Sequence, residues 1–95
     1  MGTKLNPGDF DCYSNALNDE PMFVLLARDE KSPSIVRYWA QKYKEEKEKA
    51  SIKKRLTVEQ YKKFNEALDC ADAMDTWRNN WRNLKAVTEQ KNKCN

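Results

Sequence analysis

From Thr57 to Leu84 the sequence runs for 28 residues with no glycine or proline, and it carries an apolar stripe of Tyr61, Phe64, Leu68, Ala71, Met74, Trp77, Trp81 and Leu84. Steps of three and four residues are the repeat of one face of an α-helix. At about 1.5 Å per residue the helix measures roughly 42 Å. A compact globule of 95 residues has a radius of gyration of about 12 Å and so a diameter near 30 Å. The helix is longer than the body that would have to contain it, so the chain is expected to be mainly α and elongated.

A second helix is readable upstream. Ser32-Pro33-Ser34 has the makings of a helix start: a serine hydroxyl can cap free amides, and a proline in the first turn lacks a donor that would be unpaired there anyway. The apolar set Ile35, Val36, Trp39, Ala40 and Tyr43 follows helical spacing, which places a helix over 32–50. Beyond Tyr43 the run Lys44 to Lys49 is charged throughout and is expected to be solvated, to fray or to project. Thr57 and Gln60 have the spacing of a capping box at the head of the longer helix.

The expected architecture is thus one domain over 1–95. An irregular arm spans 1–19, with a helical turn near Tyr13 to Leu17, and an apolar segment with a turn spans 20–31. The antiparallel hairpin follows, with helices over 32–50 and 57–84 and a loose polar tail over 85–95. The run Met22-Phe23-Val24-Leu25-Leu26-Ala27 is too short for periodicity to decide between strand and helical turn; Pro21 before it and Asp29-Glu30-Lys31 after it favour an extended path.

A hairpin of this kind has too little apolar cover for its far end. Burying a large apolar side chain stabilises by roughly 1.5–3 kcal/mol, and Trp77, Trp81 and Leu84 lie beyond the reach of the shorter helix. Self-association is therefore expected, most simply as a symmetric dimer. Charge placement fits: residues 1–30 carry a net charge of −4 and residues 42–63 a net of +5, within a total of +3, so the acidic third can lie against the basic middle or against another copy.

Composition mostly removes chemistry. With no histidine, serine and cysteine triads and the commonest zinc sets drop out. Cys12, Cys70 and Cys94 are odd in number and far apart, which supports neither a disulfide framework nor a zinc ribbon and suits reduced thiols. Gly2 and Gly8 are the only glycines, so no glycine-rich phosphate loop exists. No cofactor, metal or catalytic residue is expected, and the chain is read as a non-enzyme. Glu66, Asp69, Asp72 and Asp75 form a polar strip, read as a solvated face paired to basic residues rather than a cation site. No run approaches the roughly 18 apolar residues a membrane span needs, and no secretory signal is apparent; a cytoplasmic location without a membrane partner is expected. A net charge of +3 is a poor case for nucleic acid.

Two constellations remain. At the start of the first helix, Arg28, Lys31, Ser32, Ser34 and Arg37 surround amides that point along the positive end of the helix dipole, an arrangement suited to a phosphate. Trp77-Arg78-Asn79-Asn80-Trp81-Arg82 places tryptophans on one face and arginines on the next; with Trp39 these form a candidate partner interface, because Trp and Arg dominate binding hot spots.

Glu20-Pro21-Met22-Phe23-Val24-Leu25, Arg28-Asp29, the proline-started Val36-Arg37-Tyr38-Trp39-Ala40 and the later Ala71, Met74 and Trp77 resemble a family of small uncharacterised proteins of tailed bacteriophages and prophages. The resemblance covers about residues 20–80 in pieces. It implies a viral protein in the host cytoplasm, and with the two constellations it sets three expectations. The first is an anti-defence protein that sequesters a phosphate-bearing host nucleotide signal. The second is an inhibitor that masks a host defence or regulatory protein, and the third is a nucleic-acid accessory.

Overall fold

The computed structural model describes the backbone of residues 1–91 and the side chains of residues 1–83. It contains three helices, α1 (Cys12–Asn15), α2 (Ser32–Ala50) and α3 (Val58–Lys91), and no strand among the described residues. α2 and α3 pack against each other. The order of their pairings, Arg37 with Asp72 and Lys44 with Phe64, makes them antiparallel. The molecule measures 64 × 29 × 20 Å with a radius of gyration of 17.1 Å, well above the roughly 12 Å of a compact chain this long.

The capping box forms as the sequence dictates: Thr57 N donates to Gln60 Oε1 at 3.0 Å and Gln60 N donates to Thr57 Oγ1 at 3.1 Å. From there α3 meets no breaker and runs 34 residues, about 51 Å. The expected end at 84 is corrected, since the helix continues through Lys91; the part of the expected loose tail over 92–95 lies outside the described residues. The side chain of Leu84, and Cys94 altogether, lie outside the described residues. The expected turn in the arm is α1, capped by Asp11, whose Oδ1 accepts from Tyr13 N at 3.0 Å.

The seam between the two long helices is built of alanine. Ala40, Ala67 and Ala71 are the fully buried hydrophobic residues among those described, and their small side chains let the helix backbones approach. Larger members of the two stripes, Val36, Tyr43, Phe64, Leu68 and Met74, flank this seam half-buried.

The charged second half of α2 does not fray. Its lysines lie along the hairpin, with Lys44 Nζ over the Phe64 ring at 5.6 Å and Lys47 Nζ over Tyr43 at 5.7 Å, so apolar stems cover rings while the ammonium groups stay in water. Lys63 reaches back from α3 and stands 5.7 Å from the Trp39 ring, 5.3 Å from Tyr43 and 5.9 Å from Phe10. Burial, followed by the charges of Glu59 and Glu46, raises the Tyr43 phenol above its usual pKa of 10.0.

The N-terminal arm folds onto the middle of α3. The Met1 ammonium pairs with Glu66, and Gly8 passes so close that a β-carbon there would strike Glu66 and the Met1 backbone. The acidic third therefore rests on α3 rather than on the basic turn, touching that region only where Phe10 meets Lys63.

Candidate binding site

The candidate phosphate site does not assemble. The helix begins at Ser32 itself, with Lys31 in the capping position and no side-chain cap. Asp29 does the work expected of Ser32: its Oδ1 accepts from Lys31 N and its carbonyl accepts from Ser32 N, both at 3.0 Å. Ile35 N is taken by the Lys31 carbonyl, and Pro33 has no N–H. That leaves Ser34 N as the first-turn amide available to an anion, where a phosphate cradle wants several.

The side chains disperse as well. Arg37 Nη2 donates to Asp72 Oδ1 at 2.9 Å and to Asp75 Oδ2 at 2.6 Å, a brace across the helices that also holds the guanidinium more firmly charged than usual. Ser34 Oγ donates to the Lys31 carbonyl at 3.0 Å. Lys31 is exposed, and Ser32 is fully buried with no partner for its Oγ. Arg28 alone of the five faces a concavity.

The orphan hydroxyl carries a direct consequence. A buried hydroxyl without a hydrogen bond costs about 1–3 kcal/mol of desolvation. Ser32→Ala is accordingly expected to leave stability unchanged or raise it by about 1 kcal/mol, read as the midpoint of urea unfolding; a fall would mean that the hydroxyl is satisfied.

The candidate partner residues separate into two groups. Trp39 stacks on Tyr43, with ring centroids 5.1 Å apart, on the outer side of α2. Trp77 and Trp81 stack at 5.7 Å on α3. Arg78, on the next face, turns inward: its side chain is 14% exposed, Nη1 donates to the Glu30 carbonyl at 2.8 Å, and Nη2 lies 3.5 Å from Asp75 Oδ1. Arg82 sits 3.9 Å from the Glu30 carboxylate at the surface. The arginines thus fasten the 29–31 turn to α3 rather than wait for a partner.

What the sequence did not reveal is a cleft of about 630 Å³ between the arm, the 25–28 segment and α3. Leu25, Leu26, Met74 and Trp77 form its apolar wall, while Arg28 and Lys4 oppose Glu66 and Asp69 at its polar margin. Cys70 lies in it with its thiol pushed up from the usual 9.0, chiefly by burial, so it stays protonated and a weak nucleophile near neutral pH. Cys12 and Cys70 are both free.

Along the rim of this cleft, residues 21–26 belong to no helix or strand. None of the amides of Met22, Phe23, Val24, Leu25 or Leu26 donates a hydrogen bond within the described residues. Phe23 is 87% exposed and Val24 60%. An apolar segment with unpaired backbone amides offers the hydrogen-bonding groups of an open sheet edge. Comparison with protein-family models, with curated proteins and with solved structures finds no match.

Proposed function

We propose that this chain is a non-enzymatic binding protein that masks a protein partner, in keeping with the resemblance to small tailed-phage proteins a protein of the bacterial host, by adding its 21–26 segment to an exposed strand edge. The observation that carries this reading is that segment: apolar, outside any helix, and without backbone partners for its amides. Strand addition draws affinity from main-chain hydrogen bonds and specificity from alternate side chains. Here Phe23 and Val24 are the most exposed side chains of residues 22–26, while Leu25, Leu26 and Ala27 line the cleft. Trp77, 47% exposed at the cleft wall, supplies an aromatic anchor beside the edge.

The test is affinity capture on the immobilised full chain followed by hydrogen exchange on the purified complex. Val24→Pro removes one amide donor and Phe23→Asp places a charge in the contact; each is expected to reduce capture by about tenfold or more, since one lost donor in a desolvated interface costs on the order of 1–3 kcal/mol. Amides 22–26 should gain protection in the complex. Capture that survives both substitutions, or protection confined to α2, would refute strand addition.

Nucleotide sequestration is a second reading, favoured by one observation: Arg28, without an ion pair among the described residues, lies in the same cleft as Trp77, so a base and a phosphate have adjacent places. Heat on titration with a cyclic or linear nucleotide, abolished by Arg28→Ala and unaffected by Val24→Pro, would favour it over the first.

A further inference from the structure

The end of the rod where α2 turns into α3 is chemically unlike the rest. Seven residues, 51–57, connect the helices, and Ile52 among them is 99% exposed. Val58 and Tyr61, on the first turn of α3, are 75% and 56% exposed. Around them stand Lys49, Lys53, Lys54 and Arg55, with no acidic residue from 49 to 55. Lys49, Lys53 and Arg55 make no ion pair among the described residues, and the Lys54 ammonium spends one donor on the Lys49 carbonyl at 3.1 Å.

The turn is set in shape. Lys54 has a φ of 57°, a left-handed conformation that side-chain-bearing residues rarely adopt, and it is held there by its amide donating to the Ser51 carbonyl. Beside the turn a shallow hollow of about 370 Å³ is floored by Leu56, Val58 and Tyr61, with Lys44 and Arg55 at its margin and Glu48 across from them.

We propose that this tip seats on an anionic lipid surface, Ile52 entering the headgroup boundary while the surrounding cations meet the lipid phosphates. The inference is independent of strand addition, which uses the opposite part of the molecule. Charge complementarity selects the partner: the acidic arm of the same chain is committed to α3, so the basic turn is left without an internal counterpart. Shape and composition select among anionic partners. The tip carries at its apex Ile52, which is almost wholly exposed and suits a deformable surface that can close around it. Its apolar residue at the apex has no use against a phosphodiester backbone, and of its four cations three are lysines, point charges that suit a diffuse field of headgroups rather than forked recognition. That no helix among the described residues is long and apolar enough to cross a membrane bears on spanning, not on lying against one.

The experiment is co-sedimentation of the full chain with large unilamellar vesicles of phosphatidylcholine, with and without phosphatidylglycerol at about one third of the lipid. Binding is expected only to the anionic vesicles, and it should weaken as ionic strength rises from about 0.01 to 0.15 M and the screening length shortens. Lys53→Gln with Lys54→Gln should lower the partition coefficient by about twentyfold, near fivefold per charge. Ile52→Ser should lower it by about tenfold through lost apolar burial. Phe23→Asp, at the other site, should leave it unchanged. Equal binding to neutral vesicles, no binding to either, or binding to double-stranded DNA in preference to anionic vesicles would each overturn the proposal.

Discussion

Replacing Ala71 by leucine should lower the melting temperature of this chain by about 15 °C. Ala71 is fully buried, and with Ala40 and Ala67 it makes up the seam along which the two helices touch. Three added carbons have no void to enter there, so the helices must separate or the side chain must leave its rotamer. Overpacking of this kind costs about 1–3 kcal/mol, and in a domain of this size each kcal/mol moves the midpoint by roughly 4–8 °C. The loss should sit at the upper end, because separating the helices also exposes the rings of Tyr43 and Phe64 that flank the seam. Ala73→Leu is the matched control: the same chemistry on the same helix, but at an exposed position on the cleft side. Helix propensity is nearly the same for alanine and leucine, so Ala73→Leu should shift the midpoint by no more than a degree or two. Thermal unfolding followed by circular dichroism reads both. Equal shifts would mean that the alanines do not set the helix spacing.

That seam explains which parts of the fold were legible in the sequence. The hairpin was, because its determinants are local: the capping box at Thr57 and Gln60, the proline in the first turn of α2, and an uninterrupted run of helix formers through α3. The alanines were not, because alanine is the commonest surface filler of helices as well as the residue that permits close approach, and only the neighbouring helix decides between the two. The same limit applied to the site. Asp72 and Asp75 are recognisable in sequence only as part of an acidic strip, yet Arg37 lies 35 and 38 residues away and bridges them. A helix start rich in serine and arginine looks ready for phosphate until its amides are assigned one by one, and most are already taken by Asp29 and Lys31. The 21–26 segment was visible as a short apolar run; that its amides would lie without backbone partners depends on the arm and α3 leaving it no strand to join.

Arg78→Ala should destabilise the chain by about 2 kcal/mol and, more tellingly, should release the 26–31 segment from α3. Three arginines, Arg37, Arg78 and Arg82, span from one part of the molecule to another, and their surroundings rank them, Arg82 at 3.9 Å from an exposed carboxylate being the weakest tie. Arg37 is a surface brace, 42% exposed and facing carboxylates that water also reaches; pairs of this kind contribute little, so Arg37→Ala should be mild. Arg78 is only 14% exposed, and it spends Nη1 on a backbone carbonyl that has no other partner among the described residues. A hydrogen bond from a charged donor contributes about 1.5–3 kcal/mol, and its loss removes a direct tie between the Glu30 carbonyl and α3. Lysine cannot replace it, because a single ammonium cannot reach both the Glu30 carbonyl and Asp75 with the geometry of a planar fork. Hydrogen exchange locates the effect: in Arg78→Ala the amides of Asp29 and Ser32, which close the turn onto Leu26 and Asp29, should exchange at least tenfold faster, while those in the middle of α3 slow or quicken only with global stability. Because that turn positions residues 21–26 over the cleft, Arg78→Ala should also weaken partner capture without touching any residue of the contact. Unchanged exchange at Asp29 and Ser32 would show that Arg78 is not what holds the segment to α3.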